Sequence, residues 1–115
     1  GSFSITAQLG SQPTATPLIN TLGMPVSGAT ASETHFSITV PAGRSSLVIT
    51  LTGTANGDPD MFVKLGAPAT LASHDWARET SGSETLTISS PQAGTYFINV
   101  YGFSMYSGYT LTATY

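Results

Sequence analysis

From Leu22 to the C-terminus the chain is written in short runs that alternate apolar and polar residues, recurring roughly every 10 to 15 residues as all-β domains do. "HFSITV" places Phe36, Ile38 and Val40 on one face and His35, Ser37 and Thr39 on the other. "SLVITLTGT" turns Leu47, Ile49 and Leu51 inward, and "DMFVKLG" sets Met61, Val63 and Leu65 against Phe62 and Lys64. "ETLTIS" opposes Leu86 and Ile88 to threonines, and "YTLTATY" does the same with Tyr109, Leu111, Ala113 and Tyr115. No helical period of useful length occurs. "PAG" (Pro41–Gly43) and "PQAG" (Pro91–Gly94) join such runs, Pro fixing φ and Gly supplying a positive φ. The pattern predicts an antiparallel β-sandwich, jelly-roll-like, of about seven or eight strands.

"TYFINVYGF" (95–103) departs from plain alternation. Tyr96, Ile98 and Val100 suit the core, which leaves Phe97, Asn99, Tyr101 and Phe103 on the outer face. The opposite register would bury the amide and expose two aliphatics, at higher cost. Phe62, Lys64 and Tyr106 are expected at the margins of this patch. Flat aromatic surfaces on sheets stack on sugar CH faces or proline rings, so the patch predicts a grip on an insoluble polymer, collagen or polysaccharide. A patch of this kind also suits contact with another domain of a longer parent chain.

Residues 1–20 are read as an N-terminal arm or linker: "GSQPTATP" is linker-like, although "FSITAQL" could form a short strand. Residues 21–115 form the domain. At 115 residues a single domain buries roughly two thirds of its unfolded surface, a core that needs no staples. There is no cysteine, which excludes disulfides and thiolate metal sites. Charged residues are 8% of the chain, three basic against six acidic. So few cations cannot neutralise a run of phosphates, and nucleic acid is not expected as a partner. No apolar run approaches a membrane span and no secretory leader is visible, so no membrane partner is expected and an exported chain would be a mature segment. A monomer is expected.

Catalytic signatures are missing: no G-x-S-x-G elbow, H-E-x-x-H or phosphate loop occurs. His35 falls on a polar strand face, the side chains of His74 and Asp75 diverge as sequence neighbours, and the carboxylates show no glycosidase-like pairing. "NGDPDMF" is the acidic cluster, with Asp58 and Asp60 on either side of Pro59. It reads two ways: a calcium site, to which Asn56 could add an oxygen, or a plain polar turn. No cofactor is required, and calcium is the one this cluster would suit. Trp76 reads as a lid on one end of the core, with a ligand platform as the alternative.

"GMPVSG", "HFSITVPAG", "DPDMFVKLGAPAT" and "ETLTISSPQAGTYFINVYGFSMYSGYTLTATY" follow one another in an order and spacing that resemble the bacterial pre-peptidase C-terminal domain family, over residues 22 to 115. The resemblance implies a non-catalytic β-sandwich appended to secreted proteases and other hydrolases, extracellular and often removed on maturation. Related domains of clostridial collagenases bind collagen and use calcium. Two departures stand out. Trp76 and Leu86 occupy places where many members carry a cysteine pair, which implies an apolar contact instead of a disulfide. The arm over residues 1–20 has no acidic residue, so the linker-borne calcium site of the collagen-binding relatives does not carry over whole. The resemblance thus implies an accessory domain that holds a hydrolase on its polymer or, alternatively, a maturation element packed on the parent catalytic domain.

Overall fold

A computed structural model of the chain describes residues 15–79 and 83–115, with the backbone alone over 54–56. The expected strand within "FSITAQL" lies outside these residues. The described strands are β1 (Thr16–Pro17), β2 (Met24–Gly28), β3 (Glu33–Val40), β4 (Ser46–Leu65), β5 (Trp76–Arg78), β6 (Glu84–Ser89) and β7 (Gly94–Thr114).

β4 and β7 run far longer than their sequence periods suggest, because each passes through both layers of the sandwich. The first limb of β7 pairs with β3 (Phe36 opposite Ile98) and with the second limb of β4 (Val63 opposite Ile98). β1 joins this sheet through a short parallel pairing with β3, and β5 closes its other edge on β4. The second limb of β7 pairs with β2 and with the first limb of β4, whose far side carries β6. Register shifts between Gly53 and Pro59 mark the bend where β4 changes layer. Strands that switch sheets do so at such bulges.

The inner faces expected from the alternation are buried at Phe36, Ile38 and Val40; Leu47, Ile49 and Leu51; Met61 and Val63; Leu86 and Ile88; Tyr96, Ile98 and Val100; Tyr109, Leu111 and Ala113, while Leu65 and Tyr115, expected inward as well, are only partly buried at the strand ends. The buried residues form one cluster, against which Trp76 packs from β5 with its ring 5.9 Å from that of Tyr96. Trp76 therefore covers one end of the core, and Leu86 belongs to the same cluster. The boundary of the domain moves toward the N-terminus. Leu18 is buried and its N–H donates to the Ser37 carbonyl, so residues 16–20 belong to the sandwich rather than to an arm.

The bend is fastened by glycine on β4 and tyrosine on β7. Gly53 lies opposite Tyr109, whose ring fills the space a Cβ would need, and the Tyr109 hydroxyl donates to the Gly57 carbonyl at 3.3 Å. Gly57 has φ +105°, and a Cβ there would run into the Met105 carbonyl and the Tyr106 backbone. Tyr106 meets Tyr109 edge-on at 6.0 Å. Gly43 also has positive φ (+83°) but faces open space. Gly57→Ala should thus cost roughly 3 kcal/mol or more, adding a backbone collision to the conformational strain, whereas Gly43→Ala should cost only about 1 kcal/mol. Urea denaturation of the two variants checks the difference; equal losses would contradict the close approach at the bend.

Candidate functional site

The outer face of the first sheet carries Phe62 and Lys64 on β4, Phe97, Asn99 and Tyr101 on β7, and His35 on β3, aligned by the register. This face is not bare. The segment after β4 folds back across it, tied by Lys64 Nζ donating to Ser73 Oγ (2.7 Å), by the Leu65 N–H donating to Asp75 Oδ2 (3.0 Å) and by the Asp75 N–H donating to the Val63 carbonyl. His74 places its ring 4.8 Å from that of Phe62, and Tyr101 meets Phe62 edge-on at 6.5 Å. Phe62 is 4% exposed and Asn99 is completely buried. Asn99 Nδ2 donates to Glu33 Oε1 at 2.8 Å, while its Oδ1 is buried without a hydrogen-bond partner.

These positions correct the expectation of one continuous aromatic surface. Phe62 belongs to a second, smaller packing layer under His74 of the 66–75 segment, and Asn99 is buried beside Glu33 of β3. Tyr106 is buried as well, turned toward Tyr109 at the bend. Phe97, Tyr101 and Lys64 are half-buried. Phe103 alone of the expected set is largely open, at 65% exposure, and Met105 beyond it reaches 71%. Met105 was missed by sequence reasoning, since a methionine after an aromatic stripe signals nothing by itself. Met105 also borders an open groove of about 330 Å³ lined with it by Ser27, Gly28, Ala29, Tyr106 and Ser107. Its wall is held by the Met105 N–H donating to Thr30 Oγ1 and by backbone bonds linking Gly102 with Ala31 and Ser32.

The second constellation is acidic. Asp58 and Asp60 flank Pro59 within the bend of β4, and Glu84 opens β6, opposite Leu51. One carboxylate oxygen from each lies within 4.8 Å of the others. Sequence reasoning named Asp58 and Asp60 but not Glu84, which is brought in only by strand pairing. Burial, and then the charges of Asp58, Glu84 and Glu79, push the Asp60 carboxyl from 3.8 up to about 7, and a side-chain hydrogen bond with Asp58 acts in the same direction. His35 and His74 meet no such cluster; His74 Nδ1 lies 2.9 Å from the Thr70 carbonyl oxygen.

The folded chain holds the Asp60 proton more tightly than the unfolded chain does. Its contribution to stability is therefore fully present below pH 3.8 and is lost as the pH rises through about 7. In solutions free of divalent cations, the stability advantage of Asp60→Asn over wild type should grow between pH 4 and pH 7.5. Denaturation at several pH values checks this, and a constant difference would contradict it.

Comparisons with known proteins agree with this architecture. Residues 32–102 match the sequence profile of the bacterial pre-peptidase C-terminal domain. The chain is 35% identical to the neutral protease of Vibrio proteolyticus over 97% of its own length and 19% of that protein's. It is 41% identical to an extracellular protease of Xanthomonas campestris pv. campestris, over 84% of its length and 17% of the relative's. The chain thus spans about a fifth of these relatives. The solution structure of vEP C-ter 100 superimposes with a TM-score of 0.70 and 28% identity, covering 88% of this chain and all of that one. The pre-peptidase C-terminal domain of a Bacillus anthracis collagenase shares the fold with a TM-score of 0.65 at 12% identity, covering 91% of this chain and all of that one. Together with the sandwich and the buried alternation, these matches show that the chain belongs to the bacterial pre-peptidase C-terminal domain family, as a non-catalytic accessory module of secreted proteins.

Proposed function

We propose that this domain holds a secreted protease on an insoluble polymer, collagen or a neutral polysaccharide, through the apolar tip of β7. The observation that carries the reading is the exposure of Phe103 and Met105, with the groove along Ser27–Ala29 bordering Met105. Large apolar side chains left this open on a small domain mark an interaction surface. The polar residues around it are mostly Ser and Thr rather than charges. Such a surface suits a neutral polymer, which offers apolar faces and hydroxyl or amide groups in alternation. Burying these side chains contributes roughly 1.5–3 kcal/mol each, and after the cost of ordering this corresponds to binding no tighter than micromolar.

The same exposed pair also supports a second reading, in which it packs on the parent catalytic domain during maturation. The two differ in what the pair touches. Retention of the chain on insoluble collagen, chitin and cellulose should fall about tenfold or more for Phe103→Ala, Met105→Ala on at least one of them. Equal retention of variant and wild type on every polymer would overturn polymer binding. Loss of secreted parent enzyme with the double variant, without polymer retention by the wild type, would favour the maturation role.

A further inference from the structure

The three-carboxylate corner holds more than a polar turn needs. A turn would leave Asp58 and Asp60 in water, whereas Asp60 is 4% exposed and Glu84 is 2% exposed. Asp60 Oδ1 is buried and has no hydrogen-bond partner, and Asp58 Oδ1 is in the same condition. A carboxylate oxygen removed from water and left unmatched is costly unless something of opposite charge completes it. Arg78, opposite Met61 in the sheet, directs its guanidinium to the carbonyls of Thr85 and Ala77.

From this geometry we infer a calcium site at the corner of the sandwich, built by Asp58, Asp60 and Glu84. The donor set is all oxygen, which selects a hard cation rather than zinc or copper. Calcium holds its oxygens at about 2.3–2.6 Å, so that opposite ligands stand up to about 5 Å apart. The three oxygens here fall inside that span, at 4.8 Å or less. Magnesium, at about 2.0–2.1 Å, requires a tighter and near-octahedral set. Asp58 and Asp60 belong to the limb of β4 that enters the first sheet, and Glu84 belongs to a strand of the second. The ion therefore joins the two layers where β4 crosses between them. Three carboxylates with solvent completing the shell give affinity in the range of extracellular modules, about 10⁻⁴–10⁻³ M.

The test uses the 115-residue chain stripped of metal with chelator. Calorimetric titration with calcium should show one site, and several millimolar calcium should raise the melting temperature by about 4 °C or more. Glu84→Gln and Asp60→Asn should each weaken binding at least tenfold. Because Asp60→Asn removes charge repulsion, it should melt no lower than wild type in chelator, which keeps loss of binding distinct from loss of fold. Absence of a calcium signal in the wild type, unchanged affinity in both variants, or magnesium bound as tightly as calcium would each overturn the assignment.

Discussion

The structure depends on the joint bend of β4 and β7. Two neighbouring strands cross from one layer to the other together, so their hydrogen-bond ladder survives the crossing with only local register shifts. This requires the chains to approach more closely than side chains allow. Gly53 and Gly57 provide the approach on β4, while Tyr106 and Tyr109 fill the space on β7 and the Tyr109 hydroxyl satisfies the Gly57 carbonyl. The same bend sets Asp58 and Asp60 beside Glu84 and carries Phe103 and Met105 past the edge of the covered face. Both candidate sites are thus consequences of one corner in the fold.

The corner also divides the aromatic stripe of β7. Before Gly102, the outer residues are held by neighbours on both sides, Asn99 by Glu33 of β3 and Phe62 by Tyr101 and by His74 of the returning 66–75 segment. Beyond Gly102 nothing covers Phe103 and Met105 to a comparable degree. An outer face used partly as a second core gives a thin sandwich extra buried apolar area and leaves Phe103 and Met105 as the open part of this stripe.

The inner faces were legible because a half-buried strand must alternate, and Leu47–Leu51, Met61–Val63 and Leu111–Ala113 do so without ambiguity. The bend was not legible. "NGDPD" carries the same residues that end a strand in a turn, and only the matching curvature of β7 reveals that the strand continues. The cover over Phe62 was equally hidden: "GAPATLASH" signals a loop by composition, but where a loop lies depends on contacts far from it in sequence. Glu84 illustrates the same limit for the acidic corner. Its alternation places it at the start of a strand, and its proximity to Asp60 follows from strand pairing alone.

The central claim is that the outer stripe of β7 is structural up to Gly102 and free only beyond it. Paramagnetic broadening by a neutral soluble nitroxide, read on side-chain NMR signals of the isotopically labelled chain, tests this directly. The Phe103 ring and Met105 methyl signals should broaden strongly, while the Phe62 ring, the Asn99 side-chain amide and the Tyr106 ring remain sharp. Broadening of Phe62 and Asn99 equal to that of Phe103 would show an open face and contradict the account.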